Sequence, residues 1–348
     1  MGRTGQADSA ERDVVALTKT YRPGPLRWGI IGTGGIAGQF ADDLRRSDEG
    51  ALVAVASRST ARAEAFAART SAPRCHGTHA ALLESDDIDA VYVAVPHTAH
   101  RDVAVAAIEA GKAVLVEKPF TVNRAQAEEL VKLARSRGVF LMEAMWTRFL
   151  PHMVRIRELL AQGRLGDVRL VTAEHGVWFR RNPAHRMFDP HLGGGALLDL
   201  GVYPLSFMSM VLGRPSSVLA TSHAGDTGVD AQTAVVLGYD EGRQAVATTS
   251  MEAWLPNRAT IAGTEARVDI DTMWYRATTF TLTTRGGATE RYEFAVPGSG
   301  LRFQTEEVAR CVRAGLLESP VLPSDEVCQI MGTMDEVRAQ IGLRYPGE

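Results

Sequence analysis

Six residues, Gly32-Thr33-Gly34-Gly35-Ile36-Ala37, constrain this 348-residue chain more than any others. They stand between an apolar run, residues 28–31, and an Ala-rich amphipathic stretch, residues 35–46. In the spacing Gly-x-Gly-x-x-Ala the first glycine permits a tight turn out of a strand. The second lets a backbone approach a pyrophosphate, and the small Ala37 lets the helix pack close to the strand. A helix opening there offers free N–H groups and its positive end to phosphate. The strand before and the helix after turn a weak glycine pattern into a dinucleotide-binding reading.

Further apolar runs at 52–56, 90–95, 114–116 and 139–142 alternate with helical stretches at 60–69, 97–110 and 124–137. Strands that are apolar throughout, separated by helices, predict a parallel sheet covered on both faces, hence an α/β doubly wound domain over residues 26–145. After residue 146 the rhythm changes. Helices are expected at 153–162, 196–212, 304–314 and 324–342. Strands are expected at 168–178, 217–222, 233–239, 245–252, 258–262, 267–270, 278–283 and 289–294. Strands in succession with short turns predict a mostly antiparallel open sheet in an α+β domain, residues 146–348. Residues 1–25, ended by Pro23-Gly24-Pro25, read as a flexible leader.

Composition narrows the classes. A net charge of −3, with Lys and Arg spread along the chain, lacks the basic excess of nucleic-acid binders. Three scattered cysteines, Cys75, Cys311 and Cys328, make no disulfide framework, and a reducing cytoplasm is the expected setting. No apolar run is read as a membrane span, and no membrane partner is expected.

The end of the second strand chooses between dinucleotides. An acid there binds the ribose 2′-hydroxyl of NAD. This chain has Ser57-Arg58-Ser59 instead, with Arg62 one turn on, which suits a 2′-phosphate and so NADP, with NAD as second choice. A solvent-exposed Arg58 in a protein accepting both stays open. Val95-Pro96-His97-Thr98-Ala99-His100 follows another strand, at the sheet edge where ligands bind, so His97 and His100 are expected to cap a helix and line the nicotinamide-ribose pocket. No carboxylate or Cys cluster accompanies them, and no metal site is expected.

Glu117-Lys118-Pro119 follows the fourth run. A lysine near a cationic nicotinamide, partly desolvated, is expected to have its pKa lowered and to relay a proton or stabilise an alkoxide. Asp199 and Tyr203, four apart, share one helix face behind the loop Gly193-Gly194-Gly195. Tyr203 is placed to exchange a proton with a substrate hydroxyl, and Asp199 to orient substrate or Lys118. A buried tyrosine and a helix-side aspartate are the structural alternative.

Together, Gly32-x-Gly34-x-x-Ala37, Glu117-Lys118-Pro119 and Gly193-Gly194-Gly195…Asp199-x-Gly201-x-Tyr203-Pro204 resemble the Gfo/Idh/MocA oxidoreductases over about residues 26–345. The segments Glu143-Ala144-Met145-Trp146-Thr147-Arg148-Phe149, His185-Arg186-Met187-Phe188-Asp189-Pro190 and Glu306-Glu307-Val308-Ala309-Arg310-Cys311 resemble its NADP-dependent dihydrodiol and D-xylose dehydrogenase branch. The resemblance implies a Rossmann domain and an α+β domain whose open sheet joins copies into a homodimer or homotetramer. It implies Lys118 as catalytic lysine and Tyr203 where many members carry histidine. It places Trp146 and Arg148 at the cofactor and substrate cleft, and Trp178, Phe179 and Arg186 against substrate. Pro96-His97 departs from the Asn that many members have there.

The expected activity is hydride transfer between a sugar or cyclic diol hydroxyl, or a lactol, and nicotinamide. A keto-sugar reductase, a sugar–sugar oxidoreductase that retains its cofactor, and a non-catalytic NADP sensor are the alternatives.

Overall fold

The computed structural model describes residues 21–348. The leader reading therefore falls mostly outside the described residues. In its last part Tyr21 packs on the core and the Gly24 carbonyl accepts from Arg313 at 3.1 Å.

Six strands form the first sheet: β1 (Leu26–Ile31), β2 (Gly50–Ala56), β3 (Arg74–His76), β4 (Ala90–Val93), β5 (Ala113–Glu117) and β6 (Leu141–Ala144). All pair in parallel, in the order β3-β2-β1-β4-β5-β6. Every residue of β4 and β5 is buried, as a sheet covered on both faces demands. The helices between them are α1 (Gly35–Leu44), α2 (Thr60–Thr70), α3 (His79–Leu83), α4 (His100–Glu109) and α5 (Arg124–Arg137). Ser59, Thr78 and Asn123 start α2, α3 and α5 by accepting a backbone N–H at the open helix end. The strand order reverses between β1 and β4, which opens a crevice at their carboxyl ends. The sequence did not show β3, three half-buried residues at the sheet edge, because so short and polar a run carries no apolar signal.

The second sheet has eight strands: β7 (Val168–Gly176), β8 (Ser217–Ala224), β9 (Asp230–Gly238), β10 (Gln244–Ser250), β11 (Ala259–Gly263), β12 (Ala266–Ile270), β13 (Phe280–Thr284) and β14 (Thr289–Tyr292). Its order is β14-β13-β12-β11-β7-β10-β9-β8, with only the β7–β10 pair parallel. Helices α6 (Pro151–Ala161), α7 (Val202–Leu212), α8 (Arg302–Arg313) and α9 (Ser324–Ile341) lie between the sheets, and α9 packs on both α5 and β8. Leu141 N–H of β6 donates to Leu317 O at 3.0 Å, so the chain end returns to the first sheet.

Two expectations change here. The helix expected over 196–212 is present, but residues 197–201 are wound as a wide π turn before α7 begins. The segment Pro190–Leu212 also has the length and mean hydropathy, 1.5, of a membrane helix, unlike the reading that found no such run. Most of it, 83%, lies buried inside the fold, where an all-round apolar helix serves as core.

Candidate active site

A cleft of about 540 Å³ runs along the carboxyl edge of the first sheet and ends at the wide turn before α7. Its floor is the glycine loop. Gly32 has φ +115°, and a Cβ there would run into the Ala94 carbonyl of the neighbouring strand end. Gly34 and Gly35 face open space, and α1 starts without a side-chain cap. That leaves a cradle of unpaired N–H groups suited to a pyrophosphate. Thr33 and Ile36 line it, while Ala37 is fully buried and lets α1 pack close, so it touches the helix and not the cleft.

At one end lie Ser57, Arg58 and Arg62, with His79 from α3, which the sequence reading did not single out. A Ser-Arg pair where NAD readers have an acid was visible. A histidine 21 positions further on was not, because it arrives from another turn.

Val95, Pro96, His97 and His100 line the middle. Neither histidine caps a helix: Ala99 occupies the cap position of α4, with no side-chain bond. His100 is fully buried instead, with Nδ1 2.9 Å from Pro119 O and Nε2 3.0 Å from Val95 O. It fills the space between the end of β4 and the turn after β5 and donates to one of the two carbonyls. Burial, then His97, lowers its pKa to about 3, so the ring is neutral. His97 Nδ1 lies 3.1 Å from Gly193 O and its Nε2 3.4 Å from Asp199 Oδ1. Among the described residues no group of three or more His, Cys, Asp or Glu is placed to hold a metal.

At the far end Glu117, Lys118, Asp199, Arg186 and Tyr203 meet. Glu117 is buried and accepts from the Tyr92 hydroxyl and from Lys118 N–H at 3.1 Å. Glu143 on β6 accepts Phe120 N–H at 3.0 Å. The two carboxyls thus hold the turn that carries Lys118. Lys118 Nζ donates to the backbone oxygen and Oδ1 of Asp199, and lies 4.9 Å over the Tyr203 ring.

Burial lowers the Lys118 pKa, but the Asp199 carboxylate, with Tyr203 and Glu117, outweighs burial and holds the ammonium above its ordinary value. Burial raises Asp199 in turn. Lys118, His97 and Arg186 outweigh that, and the carboxyl titrates well below its usual range. Arg186 grips Asp199 bidentately, at 3.2 and 3.0 Å, from a half-exposed side chain.

The glycine run follows from packing. A Cβ on Gly194 would come within 2.7–2.9 Å of the carbonyls of Arg186, Met187 and Asp189. Tyr345 donates to Gly194 O at 2.8 Å from the chain end. Pro204 has no N–H, so a wide turn cannot satisfy the Asp199 carbonyl five residues back, and Lys118 takes it. An ordinary turn would leave the Leu200 carbonyl, and His175 Nδ1 lies 3.2 Å from it.

The Tyr203 hydroxyl accepts from Trp146 Nε1 at 3.0 Å. Burial raises its pKa more than Lys118 lowers it. His175 stacks on Tyr275 at 3.9 Å and meets the Tyr203 ring edge-on at 5.0 Å. Neither residue lines the cleft; both pack behind the Tyr203 ring, and the sequence reading singled out neither. The alternation Val171, Ala173, His175 along β7 puts that histidine inward and was the available signal.

Four expected cleft residues lie elsewhere. Trp146 is buried and reaches the site only through Tyr203. Arg148 is buried against Ser206 and Glu326, at 2.6 Å, because a charge without water needs a carboxylate. Trp178 and Phe179 line a separate cavity of about 310 Å³ with Phe188 and Met251. Past Gly176 the backbone follows the extension of β10, Val177 N–H donating to Ser250 O and Phe179 N–H to Met251 O, which carries both rings away from Lys118.

Comparison with known proteins agrees with this architecture. Residues 26–145 match the family model described as an oxidoreductase family with an NAD-binding Rossmann fold, and residues 153–269 match the GFO/IDH/MocA C-terminal domain. Trans-1,2-dihydrobenzene-1,2-diol dehydrogenase of Mus musculus is 39% identical, over 92% of this chain and 98% of its own length. The 3-ketoreductase KijD10 of Actinomadura kijaniata, solved with NADP and TDP-benzene, is 30% identical with a TM-score of 0.80, over 91% of this chain and 98% of that one. Aldose-aldose oxidoreductase of Caulobacter crescentus, at 23% identity and TM-score 0.82, shares the fold. With both domain models matched in order and relatives this similar along nearly their whole length, the chain belongs to the Gfo/Idh/MocA oxidoreductase family.

Proposed function

We propose that this protein is an NADP-dependent dehydrogenase for a secondary hydroxyl or lactol of a sugar or cyclic diol. The observation that carries the reading is one cleft with a phosphate cradle, an Arg58–Arg62 end and, opposite, Lys118, Asp199 and Tyr203 in contact. The names of the similar proteins, a dihydrodiol dehydrogenase and an NADP-bound ketoreductase, support it.

Nicotinamide, when bound, supplies the hydride acceptor; the protein supplies position and electrostatics. Tyr203 exchanges the hydroxyl proton, its oxygen held by Trp146 Nε1. Lys118 keeps a positive charge beside the reacting oxygen, and Asp199 positions Lys118. Arg186, held by Asp199 and half-exposed, is the substrate contact.

Reduction of a keto-sugar is the second reading. Burial keeps Tyr203 protonated, which is the state a proton donor to a carbonyl needs.

Incubation with D-xylose, D-glucose, myo-inositol and a trans-dihydrodiol, each with NADP and with NAD, followed at the absorbance of reduced nicotinamide, tests the reading. A signal with NADP and an aldose or diol is expected. No signal with any pair, despite tight NADPH binding, favours the keto-sugar reductase or the non-catalytic NADP sensor.

A homodimer or homotetramer through the second sheet is part of the reading. Leu219 is 69% exposed and pairs across strands with Val236, itself next to Val246, in an apolar row on the open face. Light scattering after gel filtration checks it. Three unpaired cysteines support a cytoplasmic setting.

A further inference from the structure

His79 is the first residue of α3 and lines the same end of the cleft as Ser57, Arg58 and Arg62. It approaches from the turn after β3, opposite the β2–α2 connection that carries the other three. Gly77 allows this: a Cβ there would collide with the Thr60 hydroxyl, so the turn packs directly on the start of α2. Thr78 then caps α3, accepting Ala81 N–H at 3.2 Å, which fixes the direction in which His79 leaves the turn.

The charges around it are of one sign. Burial, then Arg58, holds the imidazole below its ordinary value, so it is neutral in the free protein at pH 7. Arg74 of β3 is turned to Ser85 and Asp87, and Arg101 of α4 to Asp102 and Glu129. The carboxylates that line the cleft, Glu117 and Asp199, stand at its other end beside Lys118. A neutral base beside two guanidinium groups, with no acid lining that end, is a site that can add a third positive charge by taking up a proton.

We propose that His79 is the third ligand, with Arg58 and Arg62, of a phosphate on the 2′ position of the dinucleotide, and that it takes up a proton from solvent when that phosphate binds. The proposal rests on the NADP reading above. A dianion at contact reverses the electrostatics that keep the ring neutral. Cofactor and proton then bind together, so NADPH affinity falls as pH rises through the range where the bound imidazole titrates, by at most about tenfold per pH unit. NADH has no such phosphate and draws no proton.

Fluorescence titration of NADPH and NADH between pH 6.5 and 9, with wild type, His79→Gln, His79→Lys and Arg58→Ala, tests this. Wild-type affinity for NADPH is expected to weaken about tenfold across the range, with NADH flat. His79→Gln should bind NADPH at every pH as wild type does at the alkaline end. His79→Lys should stay tight throughout, which shows that charge at this position is what matters. Equal NADPH slopes in wild type and His79→Gln, or equal loss of NADPH and NADH affinity in His79→Gln, overturns the proposal. If Arg58→Ala still loses NADPH affinity selectively in that case, the NADP reading survives. If wild type shows no preference for NADPH, both fall.

Discussion

Lys118 Nζ donates to the backbone oxygen of Asp199 at 2.9 Å and to its Oδ1 at 3.0 Å, joining the edge of the first sheet to the wide turn before α7. The carboxylate outweighs burial and keeps the lysine charged. In Asp199→Asn burial is opposed only by Tyr203 and Glu117, so the lysine pKa falls and Arg186 loses its anchor. Turnover is expected to drop roughly 10²-fold or more. NADPH affinity, which the proposed function assigns to the glycine loop and Arg58, should change little. Steady-state kinetics with a binding titration checks this; equal losses in both would mean Asp199 only holds the fold.

Tyr203→Phe removes the hydroxyl and leaves the ring beneath Lys118. A fall of about 10²-fold in kcat with NADPH binding retained is the expected outcome. Unchanged kcat would move the proton transfer to Lys118.

Arg58→Ala should weaken NADPH binding by about tenfold to a hundredfold and spare NADH, because a charge-assisted bond to phosphate has no counterpart in NADH. Fluorescence titration of the two cofactors reads it directly.

Gly194→Ala forces a methyl against three carbonyl oxygens within 3 Å. Overpacking of this kind costs about 1–3 kcal/mol. A lower Tm in a thermal melt is expected. The shift of the Arg186–Asp189 turn should also lower kcat more than NADPH affinity.

Glu143 is buried with Oε2 unpaired, and desolvation raises its pKa from 4.5 to about 7. Between these values the folded chain keeps a proton that the unfolded chain has lost. Stability therefore falls as pH rises from about 4.5 to 7, by on the order of 3 kcal/mol from this group. Glu143→Gln mimics the protonated acid and should lose less Tm between pH 5 and 8 than wild type. Asp230, also raised to about 7, adds the same slope to both proteins, so the difference isolates Glu143.

Much of the cofactor half was legible. Residues Gly32 to Ala37 act through their own backbone, and Arg58 stands at a strand end that the apolar period locates. The substrate half was not. Trp178 and Phe179 share a strand extension with nothing local to say that it turns outward, and Arg148 reads the same whether it meets a ligand or Glu326. His175 and Tyr275 are 100 positions apart and stack behind Tyr203 only when β7 and the segment after β12 pack together.

The sequence by itself determined the parallel sheet, the dinucleotide loop and the family, because turn chemistry and apolar period are properties of contiguous residues. Tertiary structure decided that the Lys118 ammonium meets the Asp199 carboxylate. That outcome balances desolvation against a carboxylate 81 residues away, and neither quantity exists until the two sheets close on the cleft.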